Sequence, residues 1–535
     1  MPAASLDMAL CSTFKDEPIL DCTIGGLLRE AARDYPGHDA LIEGLMDGTS
    51  GRRWTFAQLL ADAEKLAGGL AARYHKDERI AVWAPNVPEW VLLAYAAALA
   101  GLTLVTVNPA FQQRELDYVL RQSRAAGLFL VKEFRGNPMA DIAARVAGGL
   151  PALREIVDIE DAASMHGDKT APLPIVGTPD AAQIQFTSGT TGFPKGVLLS
   201  HRNLANNARL FAKAGGIGEG EPFLGLTPLF HTMGCSMAVL GALQMHGPYI
   251  PLLAFDPVAA IRLMEAEKVG GTICVPVMAQ ALIEAQKALN CDLSALQTIG
   301  VGGAMVAPEL ARAVHAVLGA GVLVAYGQTE SSPLITTGRP DDSFEDISTT
   351  VGRPCLGCEV GIFDPASDDI AAIGAVGEIR ARSYATMLGY DNDPEATAAT
   401  IDARGWLKTG DLGTMDARGF VKITGRVKEM IIRGGENLFP AEIENVLMEH
   451  PAVAEAAVVG VPDAKWGEAV AAFIRPAAGA SMDAEALKAH CRAQIAPQKC
   501  PAHWTQVNSW PLTGSGKIQK FALRDQWLKG NAAAL

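Results

Sequence analysis

Apolar residues recur at Leu59, Leu60, Ala63, Leu66 and Leu70 within the stretch Thr55–Tyr74. Spacings of three and four predict an amphipathic helix, with Thr55 placed to cap it. The short apolar run Arg79–Trp83 reads as a buried strand. A helix over Glu89–Ala100 and a strand over 102–107 continue the alternation. Trp90 to Val107 carries no charge over 18 residues, the lower limit for a membrane span. Its break at Gly101 and the β-prone run Leu102–Val107 favour a buried helix followed by a buried strand. The same rhythm returns downstream, with strands near 248–252, 271–275, 297–301 and 321–325 and helices near 256–267, 277–289 and 307–318. Such βαβ alternation predicts an α/β fold with mostly parallel sheets. Ligands in open α/β sheets sit at the carboxyl edge. Gly300–Ala304 and Tyr326–Glu330, each just past a strand end, are therefore candidate site segments.

The texture changes after about residue 350. Short β-like runs at Glu359–Phe363, Gly377–Arg382 and Phe420–Thr424 are separated by Gly, Asp and Pro turns, which predicts a small antiparallel unit. From Lys428 the pattern is that of an α+β module: a strand over Met430–Arg433, a helix opening at Pro440, strands at 453–460 and 469–475, and a helix near 483–494. Proline suits a first helical turn, where its missing N–H has no partner to lose. The expected fold class is α/β. A large N-terminal region (1–427) holds two α/β sheet subdomains and a small β unit, and a small α+β C-terminal domain (428–535) follows.

Length agrees with this division, since 535 residues suggest roughly three to four units. Lys and Arg total 45 against 59 Asp and Glu, a net charge of −14. That balance argues against a general nucleic-acid or membrane-surface binder. Nine cysteines are too few for a disulfide scaffold. Cys355 and Cys358 form one C-x-x-C without a second pair at zinc spacing, and read as ordinary thiols near a turn. The N-terminus has no basic segment followed by an apolar one, so a reducing, cytoplasmic setting is expected.

The sharpest local chemistry is Phe186-Thr-Ser-Gly-Thr-Thr-Gly-Phe-Pro-Lys-Gly196, which follows the β-like run Ala182–Phe186. Its glycines let backbone N–H groups approach an anion, its hydroxyls add donors, and Lys195 adds a positive charge. The set suits a polyphosphate. It is not a Walker A loop, because Pro194 precedes the lysine and Gly196 follows it.

Further motifs stand downstream: Pro228-Leu-Phe-His-Thr-Met-Gly234, Tyr326-Gly-Gln-Thr-Glu-Ser331, Gly377-Glu-Ile-Arg380, Gly405–Asp411, Gly425–Asn437 and Pro511–Lys517. With Thr187–Lys195 they resemble, in order and distance, the signatures of the adenylate-forming superfamily. The run is most similar to its medium- and long-chain fatty acyl-CoA synthetase branch. The resemblance implies an ATP-dependent acid:CoA ligase that uses ATP, Mg²⁺ and CoA. A carboxylic acid would be adenylated with release of pyrophosphate, then converted to an acyl-CoA thioester and AMP. Small molecules are the implied partners, with no nucleic acid and no transmembrane segment; a homodimer is left open.

The resemblance also implies roles. Thr187, Ser188, Gly189, Thr190, Thr191, Gly192 and Lys195 would cradle phosphate, and Thr187 and Glu330 would hold the metal. Gly303, Ala304, Tyr326, Gly327, Gln328 and Thr329 would line the nucleotide, with Tyr326 against adenine and Thr329 near the α-phosphate. Asp411 would accept the ribose hydroxyls, helped by Arg426. Lys428 is the implied hinge, Gly434 and Gly435 line the pantetheine path, Lys517 is the adenylation lysine, and His231 stands beside the acyl carboxylate.

Met233, Met237, Val277, Met278, Val301, Met305 and Leu334 form the expected apolar acid pocket. In acetate-activating relatives a tryptophan fills the position of Gly327, so glycine implies room for a longer chain. Ser383 and the stretch Pro497–His503 depart from the family pattern without touching the implied chemistry. Three other readings share these residues: an adenylation enzyme loading a carrier protein, a ligase for an aromatic, thioether or sterol side-chain acid, and a disfavoured luciferase-like oxidoreductase.

Overall fold

Thr55 caps the helix Phe56–Ala71: its hydroxyl accepts the Gln58 N–H, and the Gln58 side chain returns to the Thr55 N–H. The computed structural model describes residues 6–13, 17–167, 172–187, 194–303, 306–433, 436–512 and 518–530. The uncharged stretch resolves into the helix Pro88–Leu99 and the strand Thr103–Thr106. Among the described residues no helix is long and apolar enough to cross a membrane.

Two large sheets are built mostly from residues 39–354. The first has seven strands in the order Gly389–Tyr390, Lys195–Ser200, Ala181–Thr187, Thr103–Thr106, Arg79–Trp83, Gly127–Leu130 and Glu155–Asp158. Its last five are mutually parallel, whereas Lys195–Ser200 and Gly389–Tyr390 run antiparallel at one edge. The second has nine strands, with a parallel interior running from Gly321–Gly327 through Thr298–Gly302, Gly271–Cys274, Phe223–Gly225 and Tyr249–Pro251 to Asp39–Gly44. The antiparallel strands Leu334–Thr337 and Ser50–Thr55 flank that interior. Helices Ile24–Asp34, Pro88–Leu99 and His201–Ala214 contribute to one continuous apolar core that reaches both sheets. The helix expected over 307–318 is α-helical only over Pro308–Ala313 and widens into a π turn over Val314–Leu318.

The antiparallel unit has five strands: Leu10–Ser12, Cys358–Phe363, Gly377–Ser383, Leu407–Met415 and Val421–Arg426. Leu10–Ser12 arrives from the far end of the chain to pair with Cys358–Phe363. Cys355 and Cys358 close a turn in which the Cys358 N–H donates to Cys355 O at 3.0 Å; both are buried free thiols.

The last sheet is built from Glu436–Leu438, Ile431–Arg433, Gly467–Pro476, Val453–Asp463 and His503–Gln506. Alternation along its long hairpin sends Val458, Val470 and Ala472 to one face and Val459, Val461 and Ala471 to the other. Helices Pro440–Met448 and Ala484–Gln494 contribute to the core on the first face, and Lys520–Leu528 to that on the second.

Candidate active site

The segment Tyr326–Glu330 leaves the second sheet at the carboxyl end of Gly321–Gly327 and carries two hydrogen-bonded clusters. At its start, the Tyr326 hydroxyl donates to Asp411 Oδ2 at 2.8 Å. The other oxygen, Oδ1, lies 3.0 Å from Arg426 Nε. Asp411 and Arg426 face each other across the strands Leu407–Met415 and Val421–Arg426. Asp411 is itself held, since its N–H donates to Thr409 Oγ1 (3.1 Å) while Thr409 donates to Ile379 O (2.6 Å). Gly410, at φ +71°, supplies the left-handed turn between them and donates its N–H to Glu378 Oε1. Burial and then the Asp411 charge push the Tyr326 phenol well above its ordinary range, which keeps it a neutral donor. A carboxylate offers two acceptor oxygens, the chemistry that suits a vicinal diol.

At the other end, Glu330 sits in the short turn Thr329–Ser331. The Ser331 hydroxyl accepts the Gln328 N–H at 3.1 Å, and Glu330 O accepts the Met387 N–H at 2.9 Å. Glu330 Oε1 accepts the Tyr390 hydroxyl at 2.7 Å. Burial and the Glu330 charge raise the Tyr390 phenol as well. Lys195 Nζ lies 4.8 Å from the centroid of the Tyr390 ring, a cation–π contact. Thr187 and Lys195 are partners across the hairpin mouth that frames the phosphate loop. Ser188, Gly189, Thr190, Thr191 and Gly192 lie outside the described residues, as do Ala304, Met305, Gly434, Gly435 and Lys517.

The loop Thr227–His231 is tied to one residue that follows a strand of the first sheet and to one that lies within another. Asn86 donates to Thr227 O at 3.1 Å and accepts the Leu229 N–H at 2.8 Å. Thr106 donates to Phe230 O at 2.8 Å. These contacts set His231, an exposed residue whose Nδ1 accepts the Met233 N–H at 3.3 Å. The π turn Met233–Ala238 follows, an irregularity common at functional sites. Gly303 turns the chain at the end of Thr298–Gly302. Of the expected acid-pocket residues, Met237, Val301 and Leu334 are buried, and Val277 is exposed. Lys428 is exposed one residue before Glu429, which is paired to Lys520.

Gly327 has a backbone reason of its own. A Cβ there would lie 1.9 Å from Pro333 O and 2.9 Å from Ile335 N. The irregular antiparallel crossing of Gly321–Gly327 and Leu334–Thr337 therefore favours glycine through backbone contact. The motif reading passed over Tyr390, Asn86 and Thr409. Tyr390 carried one legible signal, an aromatic just ahead of Asp393-Pro394, where Asp393 caps the helix Pro394–Thr400.

A family model described as AMP-binding enzyme matches residues 28–391. A second, described as AMP-binding enzyme C-terminal domain, matches residues 442–517. The chain is 37% identical over 542 residues to the protein named "Putative acyl-CoA synthetase YngI" of Bacillus subtilis (strain 168), covering 96% of this chain and 98% of that protein. It is 35% identical over 546 residues to the mitochondrial medium-chain acyl-CoA ligase ACSF2 of Danio rerio, covering 96% and 89%. The structure superposes with a TM-score of 0.81, at 28% identity, on o-succinylbenzoate CoA synthetase (MenE) from Bacillus subtilis in complex with the acyl-adenylate intermediate OSB-AMP, covering 94% of this chain and 97% of that one.

Proposed function

The chain belongs to the AMP-binding enzyme family, and on that premise we propose how its residues carry out ATP-dependent ligation of a carboxylic acid to CoA. The observation that carries the reading is the Tyr326–Glu330 segment, which ties the Asp411–Arg426 pair to one cluster and Glu330, Tyr390 and Lys195 to another.

A carboxylate oxygen of the acid attacks the α-phosphorus of ATP. The bond from that phosphorus to the bridging oxygen breaks, and pyrophosphate leaves. The CoA thiol gives up its proton to solvent, its sulfur attacks the acyl carbonyl of the adenylate, the acyl–oxygen bond breaks, and AMP leaves. Charge stabilisation and positioning dominate the first step. Asp411 and Arg426 orient the ribose, with Tyr326 fixing the carboxylate and presenting its ring to adenine. Thr187 and Lys195, with the loop 188–192, receive the triphosphate. Thr329 reaches the α-phosphate, and Lys517 offsets charge between it and the acid.

Glu330 and Thr187 fit Mg²⁺. They offer a carboxylate and a hydroxyl, and among the described residues no group of three or more His, Cys, Asp or Glu side chains gathers to cage a metal. Mg²⁺ takes one or two carboxylates and completes its shell from phosphate and water. When bound, it supplies positive charge against the triphosphate. For the second step, the module from 428 onward turns about Lys428 and brings Gly434 and Gly435 to the pantetheine path. The acid class is an apolar chain of medium length, supported by the likeness to medium-chain ligases. All nine cysteines are free thiols, which supports work in the reducing cytoplasm.

The test is pyrophosphate release and acyl-CoA formation across a panel of carboxylic acids, with ATP, Mg²⁺ and CoA. Acyl-CoA should form only with all components present, and best with medium-chain acids. Failure of folded protein across the whole panel refutes the ligase reading. A clear optimum at acetate or at an amino acid refutes the acid class.

A further inference from the structure

Tyr390 makes two different contacts with two opposite charges. Its ring lies under the Lys195 ammonium at 4.8 Å, and its hydroxyl donates to Glu330 Oε1 at 2.7 Å. Tyr390 is thus a partner common to Lys195 and Glu330. An ammonium and a carboxylate attract each other, and a pair closed between these two would spend each charge internally. The phenol gives each a separate partner: a π face for the cation and a hydroxyl for the anion.

The tyrosine is fixed from several sides. Gly389–Tyr390 pairs antiparallel with Lys195–Ser200, placing Tyr390 opposite Val197. Its N–H donates to Thr397 Oγ1 at 2.9 Å. The next residue, Asp391, is buried and takes a bidentate contact from Arg79 at 2.7 and 2.9 Å, while its N–H donates to Gly196 O at 2.7 Å. A bidentate guanidinium fixes orientation as well as distance. The ring is thus held to the same strand that carries Lys195.

We propose that Tyr390 is a positioning residue that keeps the Lys195 ammonium and the Glu330 carboxylate apart and separately aimed, the first at the triphosphate and the second at its divalent cation. This rests on the roles given above to Lys195 and Glu330. It adds that their separation is built in by a third residue.

The experiment is calorimetric binding of ATP to the full-length protein, with EDTA and across a Mg²⁺ titration, for wild type, Tyr390→Phe, Tyr390→Leu and Glu330→Gln. Tyr390→Phe keeps the ring and loses only the hold on Glu330. Its affinity for metal-free ATP should stay within about twofold, while the Mg²⁺ concentration for half-maximal enhancement rises about fivefold or more. Tyr390→Leu frees Lys195 to pair with Glu330, so metal-free ATP should also weaken, by about fivefold or more. The proposal is overturned if Tyr390→Phe matches wild type in both conditions, or if it weakens both equally. Tyr390→Phe removes one oxygen, so it decides the matter even if Tyr390→Leu fails to fold. Glu330→Gln separates the two layers. If it leaves the Mg²⁺ requirement unchanged, the role of Glu330 fails; if it raises the requirement and Tyr390→Phe does not, only the role of Tyr390 fails.

Discussion

The large region and the C-terminal module hold their charged side chains in opposite ways. In the large region two site carboxylates each take a tyrosine hydroxyl from another sheet. Tyr326 of the second sheet holds Asp411 of the antiparallel unit, and Tyr390 at the edge of the first sheet holds Glu330 beyond the second. In the module the charges hold one another. Lys520 lies 2.8 Å from both Glu429 and Glu444, Glu444 accepts the Val458 N–H, and Arg433 lies over Trp466. Cross-sheet contacts set a fixed cradle. Contacts closed within one unit suit the turn proposed above for that unit. On the proposed mechanism, the difference separates the half of the chemistry that is preset from the half that is delivered.

The strongest way to break this contrast is Lys517→Ala. Adenylation should fall about 100- to 1,000-fold, as for loss of one preorganised charge donor. Thioester formation from supplied acyl-adenylate should stay within a few-fold. Equal loss in both half-reactions, read by pyrophosphate release and acyl-CoA formation, would mean the module does not deliver the lysine to one step alone.

Next in size is opposite pH sensitivity. Burial lowers the His201 imidazole from 6.5 to about 4. The unfolded chain therefore takes up that proton first. The stabilisation is full above pH 6.5 and is lost as pH falls to about 4, up to about 3 kcal/mol. In the module, burial by itself pulls the Lys520 ammonium down, but Glu444 and Glu429 outweigh it and raise it above 10.5. Its stabilisation is full below that pH and lost as pH rises through the higher folded value. Denaturant melts from pH 4 to 11 should show His201→Gln flattening only the acid limb and Lys520→Met only the alkaline limb.

Asp411→Asn sharpens the cradle side. Losing charged hydrogen bonds to Tyr326 and to the half-exposed Arg426 should raise KM for ATP by about ten- to thirtyfold, or about 1.5–2 kcal/mol. The kcat for transfer from acyl-adenylate should be little changed. The smallest effect belongs to Gly327→Ala. Its Cβ meets Pro333 O, so the melting transition should drop by the equivalent of about 1 kcal/mol. The preferred acid length should not move; a shift to shorter acids would restore the pocket explanation for this glycine.

Much of this was legible along the chain, and the exceptions share a cause. Arg79–Trp83 has the same bounds in sequence pattern and structure because a continuous apolar run buried on both faces needs no distant partner to be recognised. The strands Leu10–Ser12, Asp39–Gly44, Gly389–Tyr390 and His503–Gln506 were not legible. Leu10–Ser12 and Gly389–Tyr390 are short edge strands. All four have mixed composition and are strands only because remote backbone offers them hydrogen bonds. The site divides in the same way. Thr187, Lys195, Glu330, Asp411 and Arg426 stand inside motifs, whereas Tyr390 and Asn86 act through residues 60 and more than 140 positions away.

The sequence by itself determined the alternating α/β framework, the change of texture after residue 350, and the identity of the charged and glycine-rich groups suited to a polyphosphate. These are local properties, written in apolar spacing and residue chemistry. Only the tertiary structure decided which side chain holds which: that Tyr326 anchors Asp411, that Tyr390 stands between Lys195 and Glu330, and that Gly327 answers to a backbone oxygen. The physical reason is range. Periodicity reports burial within a few turns of chain, while a hydrogen bond or a close contact depends on distances that the packing of separate sheets alone can set.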